Sequence, residues 1–252
     1  MAEAVKKSPG MVYLVGAGPG DPELITVRGQ KTLALADLVL YDYLVNDELL
    51  KHACGEAELV SLGHAHGGRG MTQEEVNRRM IAAAREGKTV VRLKSGDPNL
   101  FGRGAEEIGE LTAAGIPYEV VPGVTAALAA ASHAGIALTH RERASAVALV
   151  TGHQRSDKEP LELDYGALAH FPGTLVFYMG ITTARQWSQA LVCHGRSPDT
   201  PVAIVRRVTW PDQQVLRCTL AKVADVIEQE RLRPPAVIIV SQEGSPRHGI
   251  NF

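Results

Sequence analysis

Short apolar runs stopped by glycine or proline alternate with stretches of helical spacing along the first half of the chain. Residues 11–15 (MVYLV) end at Gly16 and read as a buried parallel strand. Residues 23–37 have a helical period that puts Leu24, Val27, Leu33 and Ala34 on one face. A second strand is predicted over 38–41, Asn46 as the cap of a short helix ending near Gly55, and a third strand over 59–62 before a polar loop, 63–70. Thr72-x-x-Glu75 spells a capping box, followed by Val76, Met80 and Ile81 at helical spacing and by Gly87 as a stop. Further strands are predicted over 89–93 and 118–121, and further helices over 104–114, closed by Gly115, and over the alanine-rich 124–134. Strand and helix alternating in this way predict an α/β protein with a parallel sheet covered on both faces.

The second half restarts at 144–150, with strands predicted over 174–178, 201–208, 214–219 and 236–240 and helices over 182–194 and 220–231. The two strand-rich blocks meet near 139–143. The expected organisation is a loose arm (1–10), an N-terminal α/β domain (11–139), a C-terminal α/β domain (143–242) and a loose tail (243–252). No repeat links the halves. Arg206 and Arg207, as neighbours on a strand, are expected to point to opposite faces, and Trp187 and Trp210 to be packing residues.

Composition narrows the class. The chain has 252 residues, 45% hydrophobic and 21% charged, with a formal net charge of -2, which excludes a disordered chain and disfavours a strongly basic nucleic-acid binder. No apolar run reaches the ~18 residues of a membrane helix, and Lys6 and Lys7 precede no apolar core of signal-peptide type. Cys54, Cys193 and Cys218 are odd in number and widely spaced, so a disulfide framework is not expected and a reducing, cytoplasmic setting is; all three are expected to be half-buried thiols.

Three glycine turns carry the candidate chemistry. Gly16-Ala17-Gly18-Pro19-Gly20-Asp21-Pro22 lies between a strand and a helix, yet its third glycine falls one position too early for a dinucleotide fingerprint. So much glycine and proline in one turn points to a backbone that approaches something closely. Arg92-Leu93-Lys94-Ser95-Gly96-Asp97-Pro98-Asn99-Leu100-Phe101-Gly102-Arg103-Gly104 sits at the C-terminal end of a strand, where open α/β sheets bind ligands. Val121-Pro122-Gly123-Val124-Thr125-Ala126-Ala127 repeats the strand–turn–helix pattern, which suits a carboxylate or equally a tightly packed helix.

In this order the motifs resemble those of the tetrapyrrole methylase family. The matching stretches include VGAGPGDPELIT, ADLVLYD-LV, VVRLK-GDP--FGRG-EE, GIPYEVVPGVTAALAAA, GIALTHR, VTGH, TLVFYMG, TPVAIV and PDQQVLRCTL, and run from 15 to about 240. The resemblance implies a two-domain α/β enzyme, usually a homodimer, with no metal. It implies transfer of a methyl group from S-adenosyl-L-methionine, leaving S-adenosyl-L-homocysteine, to a pyrrole-type carbon of uroporphyrinogen III to give precorrin-2. The cofactor would lie in the cleft between the domains, against Pro19, Ser95, Gly96, Asp97, Leu100, Thr125, Ala126, Met179 and Ala236, with Asp97 toward its ammonium group. Arg103, Glu106, Arg141 and Tyr43 are implied as the reaction's polar residues. Asp21, Asp42, His64, His66, Asn99 and Phe101 are implied to line the substrate pocket. A guanidinium stays protonated, so Arg103 is expected to orient carboxylates, paired with Glu106, rather than to accept a proton.

Departures from the family pattern bear on the substrate. Tyr43 stands where the family usually has Arg, Gly63-His64-Ala65-His66 where it has a Gly-Lys-Arg run, Ser95 where it has Gly and Asn99 where it has Phe. Losing the Arg and the Lys-Arg pair removes positive charge from the grip on a polycarboxylate. Two readings follow: a uroporphyrinogen III methyltransferase with a rewired grip, in which Arg69, Arg141, Arg143 and Arg155 compensate, or a scaffold turned to another electron-rich ring, such as indole. A third, from another class, is a non-catalytic module that senses S-adenosyl-L-methionine. His64-x-His66 with His52 lacks the spacing of a metal site, and His140 and His153 are as readily structural as catalytic.

Overall fold

The computed structural model describes residues 10–63, 70–153 and 163–241. Most of the expected arm, the tail, and His64, His66, Arg69 and Arg155 lie outside the described residues. The chain forms two compact units that divide after Thr125.

The first unit is built on a parallel sheet of β1 (Val12–Gly16), β2 (Leu38–Tyr41), β3 (Glu58–Ser61), β4 (Val90–Lys94) and β5 (Tyr118–Val121), in the order β3-β2-β4-β1-β5. Alternation along the strands feeds two cores. Val12, Leu14, Leu38, Leu40 and Val90 pack with Val76, Met80 and Ala84 of α2 (Gln73–Arg85) and Leu111 of α3 (Gly104–Ala113). On the other face Val15, Val39, Val91 and Leu93 pack with Leu33, Ala36 and Leu49. The capping box at α2 is formed in both directions, Glu75 N to Thr72 Oγ1 at 3.2 Å and Thr72 N to Glu75 Oε2 at 2.7 Å.

The helix expected over 23–37 is two pieces. Asp21 caps a 3-10 turn, Pro22–Leu24, and Thr26 caps α1 (Val27–Leu33) by accepting from Gly29 N at 3.0 Å. Two capping side chains five residues apart each start a helix of their own. The buried face is Gly29, Thr32 and Leu33, while Val27 is 67% exposed and Ala34 is exposed as well. Asn46 does cap a helix, the 3-10 segment Asp47–His52.

The second unit opens with α4 (Ala126–Ala134) and carries β6 (Val147–Thr151), α5 (Tyr165–Ala169), β7 (Thr174–Tyr178), α6 (Ala184–Cys193), β8 (Pro201–Arg206), β9 (Gln214–Thr219), α7 (Val223–Gln229) and β10 (Ala236–Val240). Its sheet is mixed, ordered β6-β7-β10-β8-β9, with only β6–β7 parallel. The expected boundary at 139–143 moves back to 125/126, because the small side chains of α4 pack closely on Val176, Ala203, Val205, Val237 and Ile239 of this sheet. On the opposite face Trp187 stacks on Phe177 at 4.3 Å and donates to Gly180 O at 2.9 Å. Buried Arg196 donates to the carbonyls of Leu168, Phe171 and Gly173.

Two expectations change at the end of β8. Arg207 has φ +46° and leaves the strand, so Arg206 and Arg207 converge on Asp212, at 3.6 and 2.6 Å, rather than diverge. Arg207 also lies 4.6 Å over the ring of Trp210, which is therefore a platform for a cation rather than packing alone. Cys54 and Cys193 are exposed and only Cys218 is half-buried.

Candidate functional site

At the C-terminal edge of the first sheet the turns after β1, β4 and β5 meet backbone to backbone. A Cβ on Gly16 would fall 2.5 Å from Gly123 Cα and 2.7 Å from Gly96 O, and one on Gly123 only 2.2 Å from Gly96 O. What the first glycine turn approaches so closely is its own neighbouring turns. Gly18 and Gly96 exchange backbone hydrogen bonds of 3.2 and 2.7 Å. Asp97 braces the assembly: Oδ1 accepts from Asn99 N at 2.9 Å and Oδ2 from Gly123 N at 3.0 Å.

On this frame Gly96 has φ +68° and open space where a side chain would point. Ser95, Gly96, Asp97, Leu100 and Pro19 are half-buried around it. Backbone folded this tightly, with a side-chain-free position opening outward, suits a ligand that must come close to the main chain. The residues therefore fit the cofactor that the motifs imply.

Beyond the turn the chain takes two left-handed non-glycine residues, Phe101 (φ +55°) and Arg103 (φ +59°). Arg103 forks onto Glu106 in the first turn of α3, Nε to Oε1 at 2.8 Å and Nη2 to Oε2 at 2.6 Å, with both side chains half exposed. The expected pair is thus formed, and it fixes the orientation of the Arg103 guanidinium. Phe101, Asn99 and Tyr43 are exposed, and Asp21 caps Pro22–Leu24 by accepting from Glu23 N at 2.8 Å.

Asp42, which follows β2 and is expected in the substrate pocket, is tied into a buried charge network with Arg92, Lys94 and Glu107 that the motifs do not reveal. Arg92 donates to Asp42 Oδ1 and, at 3.0 Å, to Glu107 Oε1, which also accepts from Gln73 Nε2 at 3.1 Å. Glu107 Oε2 receives no well-directed hydrogen bond and is met by the Lys94 ammonium as an ion pair at 2.9 Å. Arg92, Lys94 and Glu107 are 5%, 1% and 0% exposed, whereas the Asp42 side chain keeps 28% of its surface. Burial opposes the charge on Arg92, but Asp42 and Glu107 outweigh it and raise its pKa. For Lys94, burial and then the neighbouring Arg92 win, and its pKa is lowered despite Glu107 and Asp42. The signal for this cluster is in the sequence: a central parallel strand that reads VVRLK carries two cations where apolar residues are the rule.

In the second unit, Met179 follows β7 with φ +53° and 47% exposure, and Ala236 opens β10 half-buried. The Tyr178 hydroxyl accepts from Ala127 N at 2.8 Å, beside Ala126. Arg141 is exposed in a turn closed by His140 N to Ala144 O at 2.9 Å. Among the described residues no group of His, Cys, Asp and Glu is placed to hold a metal ion.

A sequence model of the tetrapyrrole (corrin/porphyrin) methylases matches residues 11–224. The chain is 43% identical to an S-adenosyl-L-methionine-dependent uroporphyrinogen III methyltransferase of Methanosarcina barkeri, over 96% of this chain and 98% of that one. It is 45% identical to the siroheme synthase of Hahella chejuensis over 95% of its own length but only 50% of the synthase's. The uroporphyrin-III C-methyltransferase of Thermus thermophilus, solved with S-adenosyl homocysteine, has 39% identity and a TM-score of 0.78, with 92% of each chain covered. A cobalt precorrin-4 methyltransferase has 35% identity and a TM-score of 0.82, covering 92% of this chain and 94% of that one. The chain belongs to the tetrapyrrole methylase family, and its two-unit α/β fold is the fold of that family.

Proposed function

We propose that this chain transfers methyl groups from S-adenosyl-L-methionine to pyrrole-type carbons of uroporphyrinogen III. The observation that carries the reading is the end-to-end match to the Methanosarcina barkeri methyltransferase, 43% identical across 98% of that protein. The relatives reported above carry uroporphyrinogen, siroheme or precorrin in their names, and nothing in them favours the indole alternative or a non-catalytic module.

The cofactor supplies an electrophilic methyl group on a sulfonium sulfur. The protein's work is alignment, which is worth roughly 7–11 kcal/mol of barrier when reacting atoms are well placed. We assign cofactor contact to Pro19, Ser95, Gly96, Asp97, Leu100 and Thr125 in the first unit and to Ala126, Met179 and Ala236 in the second. Asp97 serves first as the brace that holds the glycine turns in shape. Arg103, steadied by Glu106, and Arg141 act as carboxylate-binding cations, the natural grip on a polycarboxylate ring. Tyr43, Asn99 and Phe101 lie exposed as substrate-facing groups, and Asp42 presents the carboxylate that the buried network leaves partly open to solvent. The family resemblance supports a homodimer, and three cysteines without a disulfide support a reducing, cytoplasmic setting. Separately, no helix among the described residues is long and apolar enough to cross a membrane.

The test is a turnover screen with methyl-labelled S-adenosyl-L-methionine, comparing uroporphyrinogen III with small indoles. Label entering uroporphyrinogen III, with binding that weakens steeply as salt rises, supports the proposal. Label entering only the indoles refutes it, and cofactor binding without turnover on any ring favours the sensing module. Light scattering of the purified chain tests the dimer.

A further inference from the structure

Four charged side chains are buried among the described residues, and three of them, Arg92, Lys94 and Glu107, form one cluster. Such a cluster is poor evidence for stability, because well-packed apolar side chains of the same volume often do as well or better. Its placement is specific. Lys94 is the last residue of β4 and Glu107 lies in the first turn of α3, so their ion pair ties together the two ends of the loop 95–103. The Lys94 stem also runs under that loop: a Cβ on Gly102 would lie 3.2 Å from Lys94 Cε. At the other end Arg92 bridges Glu107 to Asp42, whose second oxygen accepts from Ser95 N at 3.3 Å. One wholly buried carboxylate therefore holds two cations, one under the glycine turn and one behind the partly exposed Asp42.

We propose that Glu107 is a positioning residue for methyl transfer, fixing the 95–103 loop through Lys94 and the Asp42 carboxylate through Arg92. This rests on the function proposed above. Glu107 is wholly buried and acts through its partners: it sets where the groups that touch donor and acceptor stand. Removing its charge leaves two buried cations with one carboxylate between them, which drives Lys94 out of place and loosens the loop.

Two variants test this, Glu107→Gln and the charge-balanced Lys94→Met/Glu107→Gln, in which glutamine keeps the acceptor for Arg92. Each is compared with the wild type by thermal melting, by calorimetric titration with S-adenosyl homocysteine, and by kcat with uroporphyrinogen III. The double variant is expected to melt close to the wild type, yet to bind S-adenosyl homocysteine at least 10-fold more weakly and to lose about 100-fold in kcat, the scale of an ångström's misplacement. A folded double variant whose affinity and kcat stay within twofold of wild type overturns the proposal. Failure of both variants to fold assigns the cluster to stability and overturns it too. A wild type that binds S-adenosyl homocysteine without methylating uroporphyrinogen III removes only the assigned acceptor, and the affinity comparison still decides the role of Glu107. A wild type that does not bind overturns both.

Discussion

Gly123→Ala tests the crowding of the three turns. The added Cβ would lie 2.2 Å from Gly96 O and 2.7 Å from Gly16 Cα, against a floor of 3.0 Å for real Cβ contacts. Both obstacles are backbone, so the turns must part by about 0.8 Å. Overpacking of this kind costs about 1–3 kcal/mol. The displacement also strains the Gly18–Gly96 exchange and the Asp97–Gly123 bond, at about 1 kcal/mol for each hydrogen bond lost. With all three of these bonds lost the total is about 4–6 kcal/mol, a large share of the 5–15 kcal/mol that holds an ordinary domain. Urea unfolding, with binding of S-adenosyl homocysteine measured in parallel, is the assay. Gly96→Ala is the control, since its Cβ meets open space and only the φ of +68° is unfavourable, at about 1–2 kcal/mol. Gly123→Ala should therefore be the more destabilised, whereas Gly96→Ala should lose mainly ligand affinity, because the space its methyl enters is the space assigned to the cofactor. If Gly123→Ala unfolds within about 0.5 kcal/mol of wild type, the reading of these turns as a close-packed backbone crossing is wrong.

Three further outcomes are expected. Arg103→Lys should keep a measurable part of the activity and shift stability by less than about 1 kcal/mol, since the pair with Glu106 is half exposed; total loss of turnover with substrate binding intact would show that Arg103 does more than orient carboxylates. Alkylation near pH 8, followed by mass spectrometry, should label exposed Cys54 and Cys193 well before Cys218, whose thiol burial pushes up to about 11; equal rates would refute this. Because the folded Lys94 pKa lies below its ordinary value of 10.5, the unfolded chain binds the extra proton between the two values, so Lys94 contributes a rise in stability with pH across that window. Lys94→Met should flatten that part of the curve in denaturant titrations at successive pH values, and an unchanged slope would count against a buried, disfavoured ammonium.

Local grammar in the sequence determined a good deal of this protein. The capping box at Thr72, the stops at Gly87 and Gly115 and the strand at 236–240 are all legible, because caps, left-handed glycines and apolar runs act on their immediate neighbours. The order of the glycine motifs sufficed for the family, and the spacing of Arg103 and Glu106 for their pairing. Tertiary structure alone decided which groups lose water and which main chains collide. Gly16 and Gly123 must be glycine because parallel β1 lies between β4 and β5 and brings their turns together, a fact of strand order that spacing does not contain. Glu107 looks like one more acid in the first turn of a helix; its burial depends on where α3 docks over β4, and only docking turns it from a solvated charge into the anchor of Lys94 and Arg92. The same holds for α4, whose alanines fit either unit by composition and join the second because the close fit of small side chains to a sheet face is settled only when the sheet exists.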